Sequence, residues 1–289
     1  MRFGIVADSC INLPEEIINN YGIEIVSLNY TLNGEIKRCY IKGQKVDQKA
    51  LYEKMRKKEE ITTSLASPED FEKSFYKFAE EGKDILCVCI GSTLSGTYQS
   101  AKIAADIVKL KFPDIKICIT DTLNGSFGEG LLCYYAAIKR DEGCGLDEVY
   151  EYIEKEKYNM CSWFTFDDLF YLKRGGRVSS KTAFVGTMLG IKPVMNVTKE
   201  GIIIPNAKLR GRKQAIDYLI EKFGEIFSGD KNQIVGIAHG DCEQEALLFR
   251  DSIKKRYGIS NFFVEYLDPV IGLHGGPGAL AIFFLGKKD

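Results

Sequence analysis

Histidine is almost missing from this chain. Only His239 and His274 are present, and neither has a ligand-spaced partner, so no metal site is expected. A Cys-x-x-Cys pair is also lacking, although there are nine cysteines, at positions 10, 39, 87, 89, 118, 133, 144, 161 and 242. An odd number of scattered cysteines, several within apolar runs, points to buried thiols in a reducing cytoplasm rather than to a disulfide framework. No apolar stretch approaches the ~18 residues of a membrane span. The N-terminus runs straight into an apolar strand with no basic leader, so no signal peptide is expected. Charge of one sign is not in excess, with 39 Lys+Arg against 40 Asp+Glu and a net charge of −1. No overall field therefore favours nucleic acid or an anionic membrane. Internal repeats and low-complexity linkers are missing as well.

What is present is a globular composition, 45% hydrophobic and 27% charged over 289 residues, enough for two domains or one large one. The first part alternates apolar strand signals at 3–8, 23–32, 85–90 and 115–121 with helical patterns. Those helices are expected at 14–21, 47–57, 68–81, 98–110 and 125–140. Strands joined by helical crossovers imply an α/β fold with a mainly parallel sheet covered on both faces. Ser67-Pro68-Glu69-Asp70 reads as a helix N-cap with proline in the first turn, and Asn12 with Glu15 has the spacing of a capping box. After about residue 157 the pattern changes. Strands at 191–197, 201–208, 234–238, 262–267 and 279–285 mix with helices at 213–227 and 243–257, which predicts an α+β second domain. The expected division is 1–157 and 158–289. A short helix is expected after Arg177.

One segment carries more chemistry than the rest. The apolar run 85–90 leads into Gly91-Ser92-Thr93-Leu94-Ser95-Gly96-Thr97 and then into a helix. A helix N-terminus offers unpaired N–H groups and partial positive charge to an anion. The Gly91-to-Gly96 spacing matches a P-loop, but Thr97 stands where the nucleotide-binding lysine belongs. The loop therefore suits an anionic headgroup rather than a nucleoside triphosphate. Ser95 could equally cap the following helix, and Thr63 could be a plain loop hydroxyl. His274 could be a structural turn residue before Gly275-Gly276-Pro277-Gly278. Lys173, Arg174 and Arg177 flank two glycines and read either as a solvated turn or as an oxyanion contact. Asp241 and Gln244 have the spacing of a capping box after His239-Gly240.

Several motifs together resemble the DegV family. These are Asp8-Ser9 with Asn12-Leu13-Pro14, Thr63-Ser64 with Ser67-Pro68, and Ser92-x-x-Ser95-Gly96-Thr97-Tyr98-Gln99-Ser100-Ala101. Leu172-Lys173-Arg174-Gly175-Gly176-Arg177-Val178-Ser179 and His274-Gly275-Gly276-Pro277-Gly278-Ala279 complete the set. The resemblance covers essentially the whole chain. It implies a two-domain fold enclosing a lipid, a long-chain fatty acid as ligand and no other cofactor. It further implies that the chain is a non-catalytic subunit presenting the acyl group to a separate kinase subunit for acyl phosphate formation. The family's carboxylate-binding threonine and serine fall on Thr63 and Ser95, and its headgroup histidine on His274. Arg174 and Arg177 become candidates for headgroup or partner contact. Leu65-Ala66 departs from the Gln-Pro often found after the Thr-Ser pair. Burying about 14 methylenes at ~0.8 kcal/mol each would contribute roughly 11 kcal/mol before ordering costs. The tail would dominate affinity, and the hydroxyls would orient the headgroup. The competing reading is a hydrolase or transferase of acyl or phosphoryl groups with Ser95 as nucleophile, which requires a positioned base. A third is a lipid-responsive binding protein without a kinase partner.

Overall fold

The computed structural model describes residues 3–178 and 190–288. Ser179 and the short helix expected after Arg177 lie outside the described residues.

Four strands, β1 (Phe3–Asp8), β2 (Ile23–Val26), β6 (Asp84–Cys89) and β7 (Ile117–Asp121), form a wholly parallel sheet in the order β2-β1-β6-β7. Its residues alternate between two apolar layers, as a sheet buried on both faces requires. Phe3, Ile5, Ala7, Leu86 and Val88 face helices α5 (Phe127–Asp141) and α6 (Leu146–Glu156). Val6, Ile85, Cys87 and Cys89 face α3 (Pro68–Glu80) and α4 (Thr97–Lys111). Ser67 caps α3 as expected, accepting from the Asp70 N–H at 3.2 Å.

The single strand expected over 23–32 is two strands in two sheets. β2 ends at Val26, and Ser27 turns the chain by accepting from the Tyr40 N–H. The Leu28 N–H donates to the Ser9 hydroxyl. Strand β3 (Asn29–Leu32) then pairs antiparallel with β4 (Glu35–Arg38) and β5 (Ile61–Ser64). Asn33 and Gly34 (φ 51° and 84°) form the two-residue turn between β3 and β4, and Asn-Gly is the residue pair that favours such a hairpin. This small sheet and α2 (Gln48–Arg56) are what deliver Thr63.

The second part of the chain is a mixed six-stranded sheet. Its strands are β8 (Met160–Thr165), β9 (Ile191–Val197), β10 (Ile203–Arg210), β11 (Val235–His239), β12 (Phe262–Tyr266) and β13 (Leu280–Leu285), in the order β10-β9-β8-β13-β11-β12. One face (Trp163, Val194, Ile237, Ile282, Phe284) packs on α8 (Arg212–Ile226) and α9 (Glu243–Tyr257). The other (Phe164, Met195, Ala281, Phe283) shares a core with α5, so α5 lies between the two large sheets. Two caps differ from expectation. α1 (Glu15–Asn20) has no side-chain cap, because Asn12 sits in the left-handed region and accepts from the Asp268 N–H at 2.6 Å. Asp241 is likewise not the cap of α9. It accepts from Arg56 at 2.5 Å and from the Tyr266 hydroxyl at 3.2 Å, tying α2 to the second sheet.

Candidate functional site: an apolar cavity with a polar end

Between the carboxyl ends of the parallel strands, β5 and the inner face of the six-stranded sheet lies a cavity of about 340 Å³. That is within the ~300–1,000 Å³ typical of small-molecule pockets. Its wall is mainly apolar, built by residues such as Ile90, Phe164, Phe166, Val197, Leu267 and Phe283. Thr63, Ser95, Arg177 and His274, chosen from sequence, all line it.

Thr63 lies on β5, paired with Tyr30 of β3. His274 is in the last turn of α7's partner helix, α10 (Pro269–Gly275), where α7 is Phe170–Arg174. Asp268 starts α10 by accepting from the N–H groups of Val270 (2.9 Å) and Ile271 (3.1 Å). Thr63 Oγ1 and His274 Nε2 are 3.0 Å apart. On the other side of the ring, a Cβ placed on Gly175 would sit 2.0 Å from Nδ1, so only glycine lets the 173–177 turn close onto the imidazole. Burial, with Arg177 and Arg174 beside it, brings the His274 pKa down to about 4. The ring is therefore neutral at pH 7. In the tautomer protonated at Nε2, His274 donates to Thr63 Oγ1, and the threonine hydroxyl proton is left for an oxyanion.

Ser95 is held by a loop fixed from three directions. Asp8 accepts from the Ile90 N–H at 2.8 Å, Asp121 from the Ser92 N–H at 3.0 Å, and Gly91 donates to the Asn124 carbonyl at 2.6 Å. Gly96, rather than Ser95, occupies the N-cap of α4. The Ser95 hydroxyl lies 2.9 Å from the Thr97 hydroxyl and only 3.4 Å from the Thr97 N–H, so a weak local bond coexists with exposure to the cavity.

The basic turn divides in two. Arg177 is half-buried at the cavity, its guanidinium donating to the carbonyls of Leu94 (3.0 Å) and Gly175. Burial lowers its pKa from the ordinary value, and it stays charged at neutral pH. Arg174 is exposed and lies over the rings of Phe170 (5.8 Å) and Tyr171 (5.5 Å). Lys173 is also exposed.

Three buried carboxyls next to the site were not foreseen as a group. Asp8 is pushed up to about 6 and Asp268 to about 7 by burial, each partly offset by the backbone N–H groups it accepts. Glu129, on α5, is fully buried, and its carboxyl meets that of Asp8 in a side-chain hydrogen bond. Burial first, then the Asp8 charge, raises its pKa well above the ordinary value. A glutamate inside the apolar run 125–140 was the sequence signal for this arrangement. Among the described residues no cluster of His, Cys, Asp and Glu has the geometry to hold a metal ion, and no helix is long and apolar enough to cross a membrane.

The similarities of the chain agree with this geometry. A family profile described as "Uncharacterised protein, DegV family" matches residues 2–287. A DegV domain-containing protein of Clostridium perfringens is 35% identical over 285 residues, covering 99% of this chain and 98% of that protein. The crystal structure of a DegV lipid-binding protein from Thermotoga maritima superposes with a TM-score of 0.87 at 28% identity, covering 100% of both chains. A DegV family protein from Thermus thermophilus, solved for its fatty acid binding, gives 0.86 at 28% identity, covering 99% of this chain and 100% of that one. Motifs, fold and full-length similarity lead to one assignment: this chain belongs to the DegV family.

Proposed function

We propose that the chain binds one long-chain fatty acid in the 340 Å³ cavity and presents its carboxylate to a separate kinase subunit, which makes the acyl phosphate. The observation that carries this reading is an apolar cavity ending at the Thr63–His274 pair. The carboxylate is held by the hydroxyls of Thr63 and Ser95 and oriented through His274, with the Arg177 charge alongside. A buried carboxylate without such partners would be strongly disfavoured, while the tail supplies most of the affinity. The halves 1–157 and 158–289 act as the two walls closing on the lipid, and the carrier works in the cytoplasm. The names of the Thermotoga and Thermus proteins, lipid-binding and fatty-acid-binding respectively, favour the same ligand class.

A non-catalytic role is favoured by the placement of His274. Its Nε2 is directed at Thr63, not Ser95, and among the described residues its strongest charged neighbours are arginines, not a carboxylate. A Ser95 nucleophile would need the opposite arrangement. The test is phosphoryl transfer from ATP with an acyl-kinase subunit added. Acyl phosphate formed only when both proteins and a fatty acid are present supports the carrier role. Ester or acyl phosphate hydrolysis by the chain alone, abolished by Ser95→Ala, overturns it.

A further inference from the structure

The cavity has a second polar feature, away from the carboxylate end. Asn124, Ser126 and Ser162 all line it, and all three are buried, at 0%, 1% and 1% exposure. Ser162 donates to Asn124 Oδ1, and Asn124 Nδ2 donates to the Thr122 carbonyl at 3.3 Å. Among the described residues the Ser126 hydroxyl has no partner. Although Ser126 stands at the N-cap of α5, its side chain makes no capping bond, and its backbone is in a region glycine favours (φ 54°, ψ −141°). A buried hydroxyl without a partner is costly, and strained backbone persists where surrounding structure holds it. Neither feature helps an all-hydrocarbon tail.

The position along the cavity can be read from the strand register. His274 and Gly275 adjoin Ala279, where a Cβ on Gly275 would touch the Ala279 methyl at 3.2 Å. Four residues further along β13, Phe283 pairs with Ser162. At ~3.3 Å per residue, Ser162 lies roughly 13 Å along β13 from Ala279, which places the Ser162 side of the notch well down an acyl chain. Resting on the fatty-acid reading, we infer that the cavity is shaped for an acyl chain carrying a hydroxyl group near its middle, recognised by Ser126 and Ser162. Ser126 has both its hydrogen and its lone pairs to offer, and Ser162 retains acceptor capacity after donating to Asn124. A ligand hydroxyl, donor and acceptor together, satisfies both. The bond needs no covalent step.

The test compares octadecanoate with 10-hydroxyoctadecanoate on the intact, delipidated protein by displacement of a fluorescent fatty acid. An apolar wall weakens the hydroxylated ligand tenfold or more, because its hydroxyl is buried unpaired. The inference predicts that the hydroxylated chain binds at least as tightly as octadecanoate. Ser126→Ala should then shift the ratio of the two affinities at least tenfold towards octadecanoate. Tight octadecanoate binding with tenfold or weaker binding of the hydroxylated chain overturns the inference and leaves the carrier reading standing, the notch then being a place for water. Failure of both ligands to bind overturns the carrier reading and the inference with it.

Discussion

Thr63 Oγ1 and His274 Nε2 lie 3.0 Å apart although 211 residues separate them in sequence. The contact joins the small antiparallel sheet, inserted between β2 and α3, to the helix that precedes β13. Two elements from opposite ends of the chain thus meet at the polar end of the cavity. Thr63→Val keeps the shape of the side chain and removes the hydroxyl. Losing one hydrogen bond to a charged group costs about 1.5–3 kcal/mol, or roughly ten- to a hundredfold in affinity. We expect that loss in fatty acid displacement assays, and recovery in Thr63→Ser. Equal binding by the valine variant would remove Thr63 from the headgroup site.

Gly175 offers a sharper steric test. Its missing Cβ leaves room for His274 Nδ1, which a methyl would approach to 2.0 Å. Gly175→Ala must displace either the imidazole or the 173–177 turn. Tighter-than-normal packing of this kind costs typically 1–3 kcal/mol. The expected result is a lower Tm together with weaker lipid retention. A variant with wild-type Tm and retention would mean that the turn does not close on the ring.

The buried carboxyls give the protein a pH signature. The folded-state pKa of Glu129 is raised well above 4.5 by burial and by Asp8. Above pH 4.5 the folded chain keeps a proton that the unfolded chain loses, so this group's contribution falls as pH rises, by ~1.4 kcal/mol per pH unit until the folded pKa is reached. Asp8 and Asp268 act in the same sense up to about 6 and about 7. His274, brought down to about 4, acts oppositely between that pH and its ordinary value of 6.5. Glu129→Gln removes the first contribution, which is the largest, and alters that of Asp8 only through the hydrogen bond the two carboxyls share. Its stability relative to wild type should therefore increase from pH 5 to pH 8 in urea denaturation. Parallel pH profiles would show that Glu129 ionises freely in the folded protein.

Arg174 and Arg177 should separate. Arg177 lines the cavity and is anchored to Leu94 and Gly175, whereas Arg174 stacks outside on Phe170 and Tyr171. Arg177→Ala is expected to weaken fatty acid binding by about tenfold, the scale of one charge-assisted contact. Arg174→Ala should act more strongly on kinase-dependent turnover than on lipid binding. Equal losses of lipid binding in both variants would place both guanidinium groups at the ligand.

Much of this organisation could be read from the residues, and the failures have physical causes. The parallel sheet was legible because its strands are continuous apolar runs separated by helical patterns. The three-stranded sheet was not, since β3, β4 and β5 are four residues each and half-exposed; the Asn33-Gly34 pair was the one local sign of it. Asn12 and Asp241 had the spacing of helix caps, but each has a partner far off in sequence, 256 and 185 residues away respectively, which local spacing cannot reveal. Thr63, Ser95 and His274 were nominated by motif resemblance, and the fold brings all three to one cavity. The pairing of Thr63 with His274, the Ser126 hydroxyl left without a partner among the described residues and the buried Glu129–Asp8 pair depend on tertiary burial.

The most direct measurement of the central claim is native mass spectrometry of the purified protein, with the released ligand identified after denaturation. The carrier reading predicts one fatty acid per chain, lost on unfolding and restored by adding a long-chain fatty acid to delipidated protein. A ligand-free mass that stays unchanged after incubation with fatty acids would contradict it.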